Sequence, residues 1–166
     1  MKLFSTRAAA IAVAVCCASP ARAIEPGKAA PEIGLDGAPG PVSLAALKGK
    51  VVYVDFWASW CGPCRQSFPW MNALQARYGA KGLQVVGVNV DAKRADADKF
   101  LAEVPATFAI GFDAQGDTPR RYAIKGMPTS VLVGADGKVI QVHNGVRDED
   151  RKELEAAIAS ALAAAR

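Results

Sequence analysis

The residues best suited to chemistry are two cysteines in the sequence Cys61-Gly62-Pro63-Cys64. A pair at this spacing can close to a disulfide and reopen, so it can exchange electrons with the thiols of another molecule. The motif follows an apolar run, 51–57, and precedes a stretch with helical spacing. A helix start stabilises a thiolate through unpaired N–H groups and the helix dipole. We therefore expect Cys61 to attack and Cys64, one turn deeper, to resolve the mixed disulfide.

Other uses of a cysteine pair compete with redox exchange. A purely stabilising disulfide is disfavoured, because the entropic gain grows with loop length and this loop is very short. A structural zinc site takes about four ligands, and after residue 23 the chain adds only His143, which we interpret as structural. Copper(I) held by the two thiolates stays open. The redox reaction itself needs no metal or other cofactor, because electrons pass through sulfur.

Asp55 is the only charged residue in the apolar run 51–57. Buried carboxylates are rare unless they are paired or functional, and burial raises their pKa. Because Asp55 precedes the motif closely, we expect it to accept the proton of Cys64. A hydrogen-bonded structural aspartate at a strand end is the alternative.

The segment Met127-Pro128-Thr129 is the third candidate, because it precedes another strand-like run. A cis proline there would form a tight turn beside the disulfide and leave the Met127 backbone free to pair with an extended substrate. On the residues alone, an ordinary trans proline beginning an edge strand is favoured. The expected substrate-binding residues are Met127, Trp60, Gly62 and Pro63.

The elements around these residues alternate between strands and helices. Apolar runs predict strands at 51–57, 83–90, 107–112, 129–133 and 138–144. The sequence Gly134-Ala135-Asp136-Gly137 predicts a hairpin between the last two. Helical spacing predicts helices at 61–78, 94–103, 119–123 and 148–165. This order predicts one α/β domain with a central mixed sheet flanked by helices.

The first 23 residues are typical of a signal peptide. Basic Lys2 and Arg7 precede an apolar stretch, and Ala21-Arg22-Ala23 is a cleavage pattern. The apolar stretch is short for a membrane span, although an uncleaved anchor is the alternative. We predict a signal peptide at 1–23, an extended arm at 24–41, a domain at 42–166, and export to a compartment such as the bacterial periplasm.

Cleavage would remove most of the excess positive charge. The chain has 20 Lys and Arg against 16 Asp and Glu, a net charge of +4. Lys2, Arg7 and Arg22 would leave with the signal peptide, which argues against nucleic-acid binding. Cys16 and Cys17 would leave as well, so the motif cysteines would have no competing partner in an oxidising compartment.

Residues 54–64 and 126–129 together closely resemble the thioredoxin superfamily. The export signal, residues 44–51 and the extra segment at 83–122 are similar to TlpA/ResA-like exported thiol–disulfide oxidoreductases. The resemblance covers about 42–166 and implies a thioredoxin fold with an N-terminal extension.

The resemblance also assigns roles to individual residues. Cys61 becomes the nucleophile, Cys64 the resolving cysteine, Asp55 the buried acid, and Pro128 a cis proline. Two departures matter. Many TlpA/ResA-like proteins have Glu three residues after the second cysteine, where this chain has Ser67, and many have Asn in place of Asp55. Thioredoxins often pair the acid with a lysine on the next strand, and the aligned residue here is Gly87.

These features favour an exported reductase of protein disulfides over a dedicated role in cytochrome c maturation. Gly-Pro between the cysteines resembles thioredoxin, whose potential is about −270 mV, against about −120 mV for the oxidant DsbA. The resemblance implies protein thiol and disulfide substrates and a membrane electron donor of the DsbD/CcdA type. A disulfide donor or isomerase, a non-enzymatic copper(I) carrier and a redox-regulated binding module are the alternatives.

Overall fold

The computed structural model describes residues 24–145 and 147–165, so the predicted signal peptide lies outside the described residues. Within them, no helix is both long and apolar enough to cross a bilayer. Their strands are β1 Gly34–Leu35, β2 Gly37–Ala38, β3 Val42–Ser43, β4 Val51–Trp57, β5 Leu83–Asn89, β6 Ala109–Phe112, β7 Thr129–Val133 and β8 Val139–Asn144. Their α-helices are α1 Gly62–Tyr78, α2 Arg94–Glu103, α3 Asp117–Arg121 and α4 Asp148–Ala164.

Six strands form one mixed sheet in the order β2-β6-β5-β4-β7-β8. β4, β5 and β6 run parallel to one another, whereas β7 is antiparallel to β4, β8 to β7 and β2 to β6. The β7–β8 connection is the predicted hairpin. The sheet confirms the predicted α/β architecture with a central mixed sheet, and β4 carries the residues before the cysteine motif through its middle.

β4 is buried on both faces, because all 7 of its residues are buried. Side chains alternate between faces along a strand. Tyr53 and Trp57 join the core beneath α1 and α4, while Val54 and Phe56 join a second core on the opposite face. By this alternation Asp55 lies on the same face as Tyr53 and Trp57, which is the face that α1 covers.

The helices α1 and α4 close that face of the sheet. α1 buries Cys64, Phe68 and Met71. α4 buries Leu154 and Ile158, as its sequence predicts. The cysteine motif is therefore anchored through a helix whose apolar side packs directly on β4 and β5.

The arm preceding β4 is more ordered than a plain extended segment. β2 pairs antiparallel with β6 at the sheet edge, next to a cis Ala38–Pro39 bond. Gly37 is required there, because a Cβ would lie 2.5 Å from the Ile110 carbonyl oxygen. Tyr122 lies in the second core, and its hydroxyl holds the arm by donating a hydrogen bond to the Pro31 carbonyl at 2.6 Å.

Two predicted boundaries were wrong by about two residues. The strand predicted at 107–112 begins at Ala109, because the Thr107 amide donates instead to Asn72 Oδ1 on α1 at 2.8 Å. The helix predicted at 119–123 begins at Asp117, since the Asp113 carboxylate accepts N–H groups from that first turn. Neither change moves the cysteine motif.

Candidate active site

The cysteine motif lies where β4 gives way to α1. Cys61 is the N-cap residue of α1, and its sulfur accepts a hydrogen bond from the Cys64 amide at 3.2 Å. The two sulfurs are joined as a disulfide. Pro63 fits the first turn, where its missing N–H has no partner to lose. Once the disulfide opens, the helix start and the Cys64 amide stabilise a thiolate on Cys61.

The two cysteines differ in access to solvent. Cys61 is 5% exposed, whereas Cys64 is completely buried. Gly62 and Pro63 between them are exposed, and Trp60 is 70% exposed, an unusual state for so large an apolar side chain. Of the two cysteines, Cys61 is thus the one that keeps some exposed surface and that an incoming molecule can approach.

The other tryptophan flanking the motif plays a different part. Trp57 is fully buried, and its ring packs edge-on against Phe68 at 4.9 Å and tilted against Phe100 at 4.8 Å. Arg65 places its guanidinium over the same Phe100 ring and pairs with Glu103 at 3.0 Å. Trp57 thus supports the floor of the site, and only Trp60 offers a contact surface.

Asp91 holds the loop that leads into the motif. Its carboxylate accepts hydrogen bonds from the Ser59 amide at 2.9 Å and the Ser59 hydroxyl at 2.9 Å. It also accepts one from Asn89 Nδ2 at 2.8 Å. Three donors on one nearly buried carboxylate fix the position of Ser59 and so the start of the turn that carries Cys61.

The sequence did not reveal this set of hydrogen bonds, and the strand predicted from it ends at residue 90, just before Asp91. Asn89 is the last residue of β5 and Asp91 lies two residues later, at the carboxyl edge where the parallel strands β4 and β5 both end. Paired polar residues at that edge are the pattern that could have revealed it, because loops after parallel strands converge there.

Asp55 is completely buried in the middle of the sheet. Neither carboxylate oxygen has a hydrogen-bond partner among the described residues. Burial therefore raises the pKa of the Asp55 carboxyl well above its ordinary value. Once ionised, a carboxylate that binds a proton this strongly, on the face shared with Cys64, has the properties of a proton acceptor for a buried thiol.

Gly87 lies directly beside Asp55 on β5, as the resemblance to thioredoxins implies. A Cβ at Gly87 would lie 2.9 Å from Ile110 Cδ1, 3.0 Å from Trp57 Nε1 and 3.1 Å from Phe108 Cε2. Aromatic and aliphatic groups therefore occupy the space that a side chain would need. No lysine fits at this position, and Asp55 has no cation from β5.

Ser67 stands where many relatives of the predicted branch carry a glutamate. Its side chain is buried, and its hydroxyl donates to the Cys64 carbonyl at 2.8 Å. The hydroxyl is thus already partnered within α1 and carries no acid function. Asp55 is the acidic group on this face of the sheet beside the motif.

The Met127–Pro128 bond is cis, as the resemblance implies and as the residues alone did not favour. Thr129 pairs with Phe56, so Pro128 lies beside the end of β4 and near the motif. The Thr129 hydroxyl secures the turn by donating to the Gly126 carbonyl at 2.7 Å. Met127 packs against the core that contains both cysteines, and its backbone has no hydrogen-bond partner among residues 24–145 and 147–165.

The fold thus gathers the sequence-predicted site at one end of the sheet. Cys61, Cys64, Asp55 and Pro128 all lie around the carboxyl end of β4. In the part of the chain that the structure describes, no three His, Cys, Asp or Glu side chains group together as a metal site.

Proteins similar to this chain agree with a thiol–disulfide site of this kind. The Redoxin family model matches residues 25–158. The chain belongs to the Redoxin family. A thiol-disulfide oxidoreductase ResA from Bacillus thuringiensis subsp. konkukian is 32% identical over 131 residues, covering 78% of this chain and 76% of that protein. The ResA of Bacillus subtilis (strain 168) is 31% identical over 127 residues, covering 76% and 71%.

Solved structures extend the comparison. A Chlorobium tepidum protein assigned as a thiol:disulfide interchange protein DsbE has 57% sequence identity and a TM-score of 0.82, covering 84% of this chain and 99% of that one. A second Chlorobium tepidum TLS structure, of a thioredoxin-family thiol:disulfide interchange protein, has 27% identity and a TM-score of 0.72. It covers 85% of this chain and 99% of that one. This Redoxin-family chain is a thiol–disulfide oxidoreductase with a thioredoxin fold.

Proposed function

We propose that this oxidoreductase is an exported reductase of protein disulfides. The observation that carries the proposal is the arrangement at the start of α1, where the reachable sulfur is also the N-cap sulfur. Cys61 can be both accessible and ionised, while Cys64 is sealed beneath it. Such a pair can attack a substrate disulfide with the Cys61 thiolate, while the Cys64 thiol remains available to resolve the mixed disulfide.

The reaction begins from the dithiol form of the protein. The Cys61 thiolate attacks one sulfur of a substrate disulfide, whose second sulfur leaves as a thiolate and takes up a proton. Asp55 accepts the thiol proton of Cys64, and the new Cys64 thiolate attacks Cys61. The Cys61–substrate bond breaks, the substrate sulfur leaves with the electron pair and is protonated, and the Cys61–Cys64 disulfide forms. Two electrons move from protein to substrate.

The turn before β7 supplies the surface for an extended substrate. The free backbone of Met127 can pair with a substrate strand, as in β-strand addition. Trp60, Gly62 and Pro63 form the exposed border next to Cys61. An unfolded or loosely folded segment around a disulfide is the substrate that fits this surface.

The residues between the cysteines support the proposed direction of electron flow. Gly62-Pro63 resembles the thioredoxin motif, and reductases of that type lie near −270 mV. A reductase that works outside the cytoplasm needs a source of electrons, and a membrane donor of the DsbD/CcdA type is the partner that we propose. Export itself is supported by the basic and apolar start of the chain, and N-terminal sequencing of the protein secreted by its own host tests it: a mature start at Ile24 is expected.

Redox titration of the mature protein tests the direction. We expect the Cys61–Cys64 pair, followed by tryptophan fluorescence, to titrate near −270 mV. A potential near −120 mV would overturn the reductase assignment and make the protein a disulfide donor. Cys64→Ser should trap substrate on Cys61 as a mixed disulfide, and the matched Cys61→Ser variant should trap none. Stoichiometric copper(I) binding without insulin reduction would indicate a copper carrier instead.

A further inference from the structure

A row of polar side chains crosses three neighbouring strands beneath α4. Asp55 on β4 lies directly opposite Ser130 on β7, and Ser130 lies directly opposite His143 on β8. Side chains opposite each other in antiparallel strands share a face, with Cβ atoms about 4.5–5.5 Å apart. Asp55 is 0% and Ser130 is 1% exposed, whereas the His143 side chain is 19% exposed. The row therefore leads from the buried acid toward solvent.

The inner part of the row is made of polar groups without partners. Both Asp55 oxygens, the Ser130 hydroxyl and the nearby Tyr53 hydroxyl are buried and have no hydrogen-bond partner among the described residues. Burial raises the pKa of Tyr53 and the Asp55 charge adds to the rise, while the Ser130 hydroxyl and the Arg151 charge oppose it. Buried polar groups are nearly always partnered, so several unpartnered ones in one place need an explanation.

Apart from this row, an aromatic N–H lies near Asp55, because the buried Trp57 Nε1 has no partner among the described residues and lies 3.0 Å from the Cβ position of Gly87. On β5 the neighbour is Gly87, which has no side chain. From α4, Asp150 Oδ2 lies 3.3 Å from His143 Nε2, and Arg151 donates to the Gln66 carbonyl on α1 at 3.2 Å.

The remaining titratable and charged groups lie along the same face. α1 contributes Cys64, and β4 contributes Tyr53. At the outer end of the row, Arg147 Nε lies 3.2 Å from Asp150 Oδ2. The outer end of the row is thus charged and partly exposed, and its inner end is the acid beside the motif.

We propose that the Ser130 hydroxyl and the His143 imidazole carry the proton of Asp55 to solvent and back. The proposal rests on the reductase mechanism above, in which each resolving step leaves one proton on Asp55. A hydroxyl accepts one proton while it donates another, and an imidazole does the same through its two nitrogens. The strand pairing brings Ser130 within one side-chain rotation of both neighbours, and such a rotation must form the hydrogen bonds that the resting structure lacks. The proton then passes from the Asp55 carboxyl to Ser130 Oγ, the Ser130 hydroxyl proton passes to His143, and His143 releases one proton to water. No electron moves in this step, and Asp55 is left as a carboxylate.

The test measures how fast the protein reduces a disulfide-containing peptide over many turnovers, because Asp55 must release the proton of one resolving step before it can accept the next. Peptide reduction is followed in weakly buffered solution with dithiothreitol as the electron source, with and without added imidazole, and the rate without protein is subtracted. We expect Ser130→Ala and His143→Gln each to lower the turnover rate by about tenfold. Ser130→Thr keeps the hydroxyl and should restore the rate, and imidazole, as a mobile proton carrier, should restore His143→Gln.

An Asp55→Asn background separates a proton relay from a structural role. With no carboxyl to serve, Ser130→Ala should cause no further slowing there. The relay is wrong if Ser130→Ala or His143→Gln matches the natural protein, if Asp55→Asn has no effect, or if Ser130→Ala slows the Asp55→Asn protein equally. Thermal unfolding of each variant checks that it is folded, and Ser130→Thr supplies the readout should Ser130→Ala fold poorly.

Failure of the relay and failure of the reductase proposal give different results. A potential near that of DsbA with the two variants still slow would overturn only the direction of electron flow. A thioredoxin-like potential with both variants at the natural rate would overturn only the relay.

Discussion

Replacing Asp55 by asparagine should stabilise the oxidised protein by an amount that grows with pH. The Asp55 carboxyl is fully buried and has no partner among the described residues, and this burial raises its pKa well above the usual value. The folded protein therefore holds a proton on Asp55 at pH values where the unfolded chain has released it. Asparagine has a similar shape and carries no titrating proton, so it removes this pH dependence.

The sign and size of the effect follow from linkage. Where the folded state binds more protons than the unfolded state, the free energy of unfolding falls as pH rises. One proton gives a slope of about 1.4 kcal/mol per pH unit. The window begins just above the unfolded aspartate pKa of about 3.9 and ends where Asp55 ionises in the folded protein. Across each pH unit of that window, Asp55→Asn should gain about 1.4 kcal/mol over the natural protein.

Urea unfolding of the oxidised protein at a series of pH values measures this difference. Asp113→Asn is the matched control, because Asp113 is also nearly buried but accepts amides from Asp117 and Thr118. Burial opposes its ionisation, yet these hydrogen bonds outweigh burial and lower the pKa of Asp113. Its stabilising effect is present above the unfolded pKa and is lost only as pH falls through the folded one. Asp113→Asn should therefore be less stable by a constant amount from about pH 5 to 8.

The test depends on the slope of the free energy of unfolding against pH, not on its value at any one pH. The asparagine amide also lacks partners in this site, and that cost shifts the whole curve without tilting it. Parallel curves for Asp55→Asn and the natural protein from about pH 5 upward would mean that Asp55 ionises normally in the fold. The assignment of Asp55 as a proton acceptor with a raised pKa would then be refuted.

Three further substitutions test the surroundings of the motif. Asp91→Asn removes the charge that holds Ser59, so it should lower the free energy of unfolding by about 1.5–3 kcal/mol in urea titrations. An unchanged free energy would mean that the hydrogen bonds from Ser59 to Asp91 do not stabilise the fold. Gly87→Ala should lower the free energy of unfolding by about 1–3 kcal/mol through overpacking, while Gly34→Ala, with no atom within 4 Å of its Cβ, should lower it less. Equal losses in the two variants would argue against crowding above Gly87. Trp60→Ala should raise KM for a protein disulfide with little change in Tm, because this ring is 70% exposed; an unaltered KM would remove Trp60 from the substrate surface.

The motif and the main elements could be predicted because their evidence is local. Cysteine spacing, the apolar run of β4 and the helical spacing of α1 and α4 are all visible within short windows. The arm was harder to predict. β1 and β2 have 2 residues each; β1 pairs with β3 a few residues further along, and β2 pairs with the β6 edge from a distant part of the chain.

The register of β4, β7 and β8 explains why the polar row could not be predicted from the sequence. His143 looked structural because its strand showed no link to the motif. One residue of slip in β7 or β8 would turn Ser130 or His143 to the opposite face and break the row. Only the pairing of Asp55 with Ser130 and of Ser130 with His143 shows that three separate strands carry one polar line.

The glycine beside Asp55 and the polar row on its other side are two parts of one arrangement. Trp57, Phe108 and Ile110 fill the space above Gly87, so a cation from β5 could enter only by displacing core aromatic packing. An unpaired buried carboxylate is costly, and on the β7 side the neighbour that can donate a hydrogen bond to it is Ser130. The packing above Gly87 thus leaves no room for a cation from β5, and β7 places a hydroxyl directly opposite the acid. A change that opened the β5 side, such as Phe108→Ala combined with Gly87→Lys, should make the Asp55-linked pH profile independent of Ser130.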